Sequence, residues 1–172
     1  MEEQSYFDRR AATYDHDEVH HRVVALLIKG VDIRLGSCIL DIATGTGLLA
    51  LEAAQKVGPA GKVIGIDASQ GMLAEAHRKA AEAGLRNIDF VQADAEQLAF
   101  QHGSFDFIFC ASAIVLMSDV PRALRHWFDF LKPRGNIAFD APAKPFGIHG
   151  DSVLGEASMD MRMLRRTRDG HS

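Results

Sequence analysis

The chain has 172 residues and a formal net charge of −4, with 47% hydrophobic and 24% charged residues. These figures predict one folded domain, and the lack of a basic block argues against a nucleic-acid partner. The N-terminus lacks a signal-peptide core, no apolar run approaches membrane-spanning length, and both cysteines lie in apolar runs without metal-ligand neighbours. We therefore expect a cytoplasmic protein with reduced thiols, no membrane contact and no metal site.

The first element predicted is a helical cap over residues 1–30. The segment starts polar and acidic, and its second half carries apolar residues at the spacing of one helix face. Gly30 follows them as a C-terminal stop. The apolar residues on this face are Val19, Val23, Leu26 and Leu27.

A strand, a glycine turn and a helix come next. Cys38 to Leu40 is an apolar run typical of a buried strand, and the run DIATGTG follows at residues 41–47. An alanine-rich stretch from Leu48 predicts a helix that stops at Gly58. Such a turn brings backbone amides close to a ligand and points the positive end of a helix at it. Gly45 and Gly47 are therefore predicted ligand-contact glycines.

Two cofactor classes compete for this turn. The spacing of Gly45, Gly47 and Ala50 matches the dinucleotide fingerprint G-x-G-x-x-G/A, and Asp67 stands where a ribose-binding acid is expected. Asp41 favours a different ligand, because its carboxylate would repel a pyrophosphate and attract an ammonium group. The run DIATGTG resembles the first motif of the class I S-adenosylmethionine-dependent methyltransferases, most of all in their quinone-biosynthesis-like (type 11) branch. Many of those relatives carry glycine in place of Ala43.

This resemblance implies S-adenosylmethionine as cofactor and S-adenosylhomocysteine as product. It makes the turn residues cofactor contacts, namely Asp41, Ala43, Thr44, Gly45 and Gly47. The run YFDRRAATYD at residues 6–15 resembles an N-terminal motif of the family in which the second tyrosine closes over the cofactor. Tyr14 is therefore a candidate contact, and simple packing of the cap on the core is the alternative interpretation.

The next strand and helix add further candidates. Val63 to Ile66 predicts a second strand that ends at Asp67, whose carboxylate suits the two hydroxyls of a ribose. Ala68 follows, and Ser69 is a helix cap before a stretch that stops at Gly84. In the resemblance Met72 lies against the adenine, although core packing explains a helical methionine equally well.

Two more strands end at small or acidic residues. Asn87 to Gln92 predicts the third strand, and Asp94 and Ala95 after it are candidates for contact with the adenine. A turn-forming aspartate is the simpler alternative for Asp94. Residues 105–110, FDFIFC, predict the fourth strand, whose exit residue Ala111 is small enough for close contact with a cofactor. Asp106 lies at the other end of that strand, so a structural hydrogen bond is expected there.

The last clear elements complete the predicted sheet. Asp119 and Pro121 start a helix, and the run LKPRGNIAF at residues 131–139 resembles the motif that precedes the family's fifth strand. Strands alternating with helices predict an α/β fold with a Rossmann-like, doubly wound, mostly parallel sheet. We assign residues 31–145 to this cofactor-binding core.

The C-terminal residues 146–172 are expected to form one helix, over Ser152 to Arg166, and a polar tail. On this interpretation the last two strands of the family's sheet are missing. An unpaired fifth strand would expose its backbone groups, which predicts a homodimer through that sheet edge.

The function expected is methyl transfer to a small-molecule acceptor. Val115 and Leu116 occupy a region where relatives often carry histidines, which suggests an apolar acceptor pocket without an assigned catalytic residue. His16, His20 and His21 in the cap are candidate bases, with solvated histidines as the simpler interpretation. A cofactor-binding module without catalysis and an NAD-dependent oxidoreductase are the alternatives.

Overall fold

The computed structural model describes residues 2–142 and 159–167. Five helices and six strands are described, together with 3-10 turns at Ala11–His16 and Ile114–Leu116. The helices are α1 Glu2–Arg10, α2 Glu18–Lys29, α3 Leu48–Val57, α4 Gln70–Glu82 and α5 Val120–Asp129. The strands are β1 Cys38–Ile42, β2 Lys62–Asp67, β3 Ile88–Gln92, β4 Phe105–Cys110, β5 Leu131–Pro142 and β6 Met159–Arg165. No helix in the described ranges is long and apolar enough to cross a bilayer.

The strands form one sheet in the order β3-β2-β1-β4-β5-β6. Strands β1 to β5 pair in parallel, and β6 alone runs antiparallel, against β5. The predicted Rossmann-like, mostly parallel sheet is therefore confirmed. Since β1 to β4 are parallel, the residues that follow them meet at one edge of the sheet, the carboxyl edge.

Both faces of the sheet are covered, which explains why the strands have continuous apolar runs. Neighbouring residues of one strand contribute to opposite cores: Ile39 packs with α2, α3 and α4, whereas Leu40 packs with α5. The helices begin where the sequence predicts. The Ser69 hydroxyl accepts a hydrogen bond from the Met72 amide at 3.1 Å, and Asp119 accepts one from the Arg122 amide at 2.9 Å.

The C-terminal part differs from the expectation. Residues 159–165 form a strand, so the predicted helix is wrong there. The fifth strand is not unpaired, because β6 pairs with its residues 136–142. Residues 152–158 and 168–172 lie outside the described residues. Methionine favours helices locally, but pairing with β5 satisfies a row of backbone groups that would otherwise stay open. The reason given for a homodimer no longer holds, and the domain boundaries stay a prediction.

Arg166 fastens the end of β6 to the end of α5. Its Nη1 donates to the carbonyls of Asp129 at 3.1 Å and Leu131 at 2.5 Å, and its own amide donates to the Gly135 carbonyl at 2.9 Å. A cation is favourable beside the last carbonyls of a helix. The connection that the sequence predicts as a turn before the fifth strand is a bulge in β5, where Arg134 has a φ of 69°.

Candidate functional site

The turn between β1 and α3 is held in a left-handed conformation. Ala43, Gly45 and Gly47 have φ values of 54°, 56° and 81°. Glycine adopts this region without strain, whereas alanine does so at a cost. The turn is closed by hydrogen bonds from the Thr44 amide to the Ile66 carbonyl at 2.8 Å and from the Gly47 amide to the Thr44 carbonyl at 2.9 Å.

Asp67 at the end of β2 is fixed by two backbone donors. One carboxylate oxygen accepts from the Gly45 amide at 2.8 Å and the other from the Ser69 amide at 2.9 Å. Burial raises the pKa of this carboxyl above its usual range, and the backbone amides of Ser69, Gly45 and Ala68 oppose the rise. Each oxygen keeps a lone pair for a further donor. The side chain is therefore held rigidly and still offers a forked acceptor.

A cavity of about 300 Å³ lies at the carboxyl edge of the sheet, in front of Asp67. We call it the edge cavity. Its volume is at the lower end of the range for small-molecule sites. Nine of the residues predicted from the sequence line it: Tyr14, Ala43, Gly45, Asp67, Ala68, Met72, Asp94, Ala95 and Ala111.

A smaller pocket of about 30 Å³ lies beside the edge cavity. We call it the side pocket, and Asp41 and Thr44 are the predicted residues that only this pocket contains. Tyr14, Ala43 and Gly45 line both spaces, so the two form a continuous site along the turn.

Asp41 is a buried carboxyl with one oxygen that lacks a hydrogen bond among the described residues. Its Oδ2 accepts from the Thr44 hydroxyl at 2.6 Å, whereas its Oδ1 has no hydrogen-bond partner among the described residues. The residue is 1% exposed, and burial raises its pKa to about 7. An unpaired buried oxygen of this kind is costly, and a ligand ammonium group would satisfy it.

Gly47 does not line either space. Its amide is used inside the turn, and a Cβ there would lie 3.1 Å from both Ala76 Cβ and a Phe90 ring carbon. A close approach to α4 and β3 therefore accounts for a glycine at this position, and the ligand contact expected at Gly47 stays a prediction. The sequence alone could not separate these two reasons for a glycine.

Asp94 is a turn-forming aspartate that also lines the edge cavity. Its carboxylate accepts from the Glu96 amide at 2.9 Å and from the Gln97 side-chain amide at 2.7 Å, which is a turn-forming arrangement. The same residue lines the edge cavity. Met72 likewise lines the cavity while only 2% exposed, so it packs in the core and borders the cavity, and its contact with the adenine stays a prediction.

The N-terminal cap is fastened to the cofactor side by two carboxylates that the sequence did not single out. Asp8 accepts from the Ser69 hydroxyl at 2.5 Å and from the Gly71 amide at 2.9 Å. Asp15 accepts from the Thr46 hydroxyl and pairs with Lys79 at 2.6 Å. These contacts hold the rings of Phe7 and Tyr14 against the edge cavity. Burial raises the pKa of Tyr14 to about 12, so its hydroxyl stays neutral at physiological pH.

The wall after β4 depends on another residue that sequence reasoning missed. Ser112 has a φ of 57°, and its amide donates to Asp140 Oδ1 at 2.6 Å. Asp140 is 3% exposed, and its Oδ2 has no hydrogen-bond partner in the described part of the chain. Its position at the end of an apolar run, like that of Asp41 and Asp67, was the signal that could have found it.

The outer wall of the edge cavity is apolar. Phe7, Leu116 and Met117 line it, whereas Val115, which was expected in the same pocket, is 44% exposed and does not. Glu96 fixes this wall, because its carboxylate accepts from the Ser118 hydroxyl at 2.7 Å and the Ser118 amide at 3.1 Å.

Comparison with known proteins decides the family. A family described as a methyltransferase domain matches residues 39–135, which is more than half of the chain. The chain belongs to this methyltransferase-domain family. It is 38% identical over 139 residues to aklanonic acid methyltransferase DauC of Streptomyces sp. (strain C5), an alignment that covers 79% of the chain and 63% of the relative.

Further known proteins are similar over most of the chain. The ubiquinone/menaquinone biosynthesis C-methyltransferase UbiE of Hahella chejuensis is 35% identical over 149 residues, covering 81% of the chain and 60% of the relative. Among solved structures, the YcgJ protein of Bacillus subtilis superposes with a TM-score of 0.66 at 36% identity, covering 72% of the chain and 51% of that protein. The chain thus spans between half and two thirds of these three proteins.

The cofactor that belongs with this family is S-adenosylmethionine, with S-adenosylhomocysteine as product, as the first motif led us to expect. The residues present fit it. Asp67 offers a forked acceptor for a diol, and the unpaired Oδ1 of Asp41 suits an ammonium group. Both lie along one continuous site at the carboxyl edge, where parallel sheets of this kind bind nucleotides.

Proposed function

We propose that this chain is a methyltransferase that uses S-adenosylmethionine to methylate an apolar small molecule. The observation that carries the proposal is Asp67, anchored by two amides at the edge of a cavity that the glycine turn also lines. When bound, the cofactor supplies an electrophilic methyl group on a sulfonium whose departure needs no acid. The family argues against the alternative of an NAD-dependent oxidoreductase.

In this proposal different predicted residues bind different parts of the cofactor. Asp67 would accept from the ribose hydroxyls, and Asp41 would face the ammonium group. Ala68, Met72, Asp94 and Ala95, which line the edge cavity, would contact the adenine. Tyr14, Gly45 and Ala111 line the region where the edge cavity and the side pocket meet. Tyr14, which lines both spaces, would then lie next to the sulfonium between the ribose and the amino-acid end.

The chain accelerates the reaction mainly by positioning the two reactants. Holding two reactants in line contributes up to about 7–11 kcal/mol in favourable systems, which is enough for a displacement with a good leaving group. The anchored carboxylate of Asp67 and the Asp140–Ser112 hydrogen bond are the rigid features that serve this purpose. A nucleophilic side chain is not required.

The acceptor we propose is an apolar, aromatic or quinone-like molecule. Phe7, Leu116 and Met117 give the open side of the edge cavity an apolar wall. The similar proteins of known substrate act, by their names, on aklanonic acid and in quinone biosynthesis. Such flat molecules bury apolar surface against this wall, which is the main source of affinity available there.

Calorimetry and turnover test the proposal together. Titration with S-adenosylhomocysteine should show binding, whereas NAD should give none. Transfer of labelled methyl groups is then measured with quinone precursors, phenols and an aliphatic amine, and we expect turnover only with the flat apolar acceptors. Binding of NAD alone would contradict the proposal, and binding of the cofactor product without any turnover would favour a cofactor-binding module.

We also propose that the protein works in the cytoplasm. Cys38 and Cys110 are free thiols, and burial raises the pKa of Cys110 well above its usual range. The two free thiols are compatible with a reducing compartment. Fractionation of the native host is the measurement, and recovery of the protein outside the cytoplasm would contradict the proposal.

A further inference from the structure

The side pocket is lined by a carboxyl and an imidazole. These are the side chains of Asp41, in β1, and His20, in α2. The His20 ring stacks on the Tyr14 ring at a centroid distance of 4.1 Å, and its Nδ1 is 3.5 Å from the Tyr14 hydroxyl. His20 is partly buried, whereas His16 and His21 are exposed. The structure thus separates His20 from the other two cap histidines.

The threonine hydroxyls and the Gly45 amide at the side pocket are already in use. The Thr44 hydroxyl donates to Asp41, and the Thr46 hydroxyl donates to Asp15. The amide of Gly45 donates to Asp67. No lysine or arginine occurs among the described residues that line this pocket. His20 is therefore the side chain there that can become a cation.

An amino acid carries one ammonium and one carboxylate on the same carbon. Asp41 has an unpaired buried oxygen for the ammonium, and the carboxylate needs a side-chain partner in addition to the amino end of α3. A charged hydrogen bond from an imidazolium is among the stronger contacts that a carboxylate can receive.

We propose that His20 binds the carboxylate of the cofactor's amino-acid end as an imidazolium and so makes cofactor binding dependent on pH. This inference rests on the proposed function. The side pocket then recognises a zwitterion with one acid and one base, Asp41 and His20.

The charges around His20 set the direction of the pH effect. Burial lowers the pKa of His20, and Arg10 lowers it further, whereas Asp15, Asp17 and Asp140 raise it. The ring is consequently neutral in the free protein near pH 7 and takes up a proton when the carboxylate binds. Affinity for the amino-acid end therefore falls as the pH rises through the pKa that His20 has in the complex.

Titration of Asp41 should lower the affinity for the amino-acid end at acidic pH. Its pKa is about 7 in the free protein, and only the ionised form attracts an ammonium group. The affinity of S-adenosylhomocysteine should thus pass through a maximum with pH. The nucleoside 5′-methylthioadenosine has the adenosine and the sulfur but no amino acid, so its affinity should vary little over the same range.

The experiment titrates both compounds into the wild type and three variants between about pH 5.5 and pH 8.5. His20→Ala should weaken S-adenosylhomocysteine about tenfold or more and leave 5′-methylthioadenosine within about twofold. His20→Gln keeps a donor and should lose the alkaline fall in affinity. His16→Ala, an exposed histidine of the same cap, should behave like the wild type.

Each outcome has one meaning. Intact binding of 5′-methylthioadenosine shows that a variant is folded. An equal loss of both compounds in His20→Ala, or no loss of either, overturns the inference while the proposed function stands. Failure of the wild type to bind either compound overturns the proposed function and the inference with it.

Discussion

Two aspartates at opposite edges of the sheet differ in how completely their carboxylates are hydrogen-bonded. Asp106, at the start of β4, accepts from the Cys38 amide and the Lys132 ammonium group, each at 2.8 Å. Asp41, at the carboxyl edge, has one internal donor and an oxygen without a partner in the described residues. The first arrangement stabilises the fold. The second costs stability, as expected where a side chain is kept for a ligand.

Replacement of Asp67, at the carboxyl edge of the sheet, should have the largest effect on cofactor affinity. Asp67→Ala removes two charged hydrogen bonds to the ribose, so we expect S-adenosylhomocysteine affinity to fall by about 10²-fold or more. Calorimetry measures this loss. Asp89→Ala on β3 is the control, because that carboxylate pairs with Lys62 and is largely exposed. Unchanged affinity in Asp67→Ala would show that this strand end is wrongly assigned.

Replacement of Asp41 should show how much its buried carboxylate lowers the free energy of unfolding. Folding raises the pKa of Asp41 from 3.8 to about 7, so the folded state holds the proton more tightly. Its contribution to stability is therefore present below pH 4 and is lost as the pH rises to about 7, by about 2–4 kcal/mol.

We expect Asp41→Asn to be more stable than the wild type at pH 8, and the difference to shrink towards pH 4. Urea unfolding at several pH values, without ligand, measures the free energy of unfolding. A variant that is less stable than the wild type at pH 8 would contradict this explanation. Binding of S-adenosylhomocysteine should weaken in the same variant.

Removal of the Arg166 side chain should destabilise the edge that β6 covers. Arg166→Ala leaves the carbonyls of Asp129 and Leu131 without this donor, and we expect a loss of about 1–3 kcal/mol. Thermal unfolding is the measurement. Arg165→Ala changes the neighbouring exposed arginine and should have little effect. Equal effects of the two changes would mean that the contact with α5 contributes nothing.

Asp106→Asn should give the smallest effect, with a sign opposite to that of Asp41→Asn at pH 8. The change weakens the pair with Lys132, which is partly exposed, so a loss of about 1 kcal/mol is expected. The same unfolding measurement applies. A gain in stability would remove the contrast between the two edges.

The sequence predicted the parallel core well because each element carries its own local signal. The apolar runs before Asp41 and Asp67, the cap at Ser69 and the proline near Asp119 identify strands and helices without reference to distant residues. Parallel strands then bring their ends together, which is why residues far apart in the chain were correctly expected at one edge.

The rest depends on contacts between distant segments, which no local pattern specifies. Residues 159–165 form a strand because β5 offers them a pairing partner. The hydrogen bond of Arg166 with Asp129 likewise depends on the end of α5 lying nearby. The hydrogen bond between Asp140 and Ser112 likewise joins β5 to the loop that follows β4. The packing of Gly47 against α4 could not be predicted for a related reason, since a glycine near a ligand and a glycine near another helix look alike in the sequence.

A crystal structure with S-adenosylhomocysteine tests the central claim most directly. We predict both ribose hydroxyls within hydrogen-bond distance of the Asp67 carboxylate and the amino group beside Asp41, along the continuous site at the carboxyl edge. A nucleoside bound elsewhere on the molecule, or one whose ribose faces away from Asp67, would contradict it.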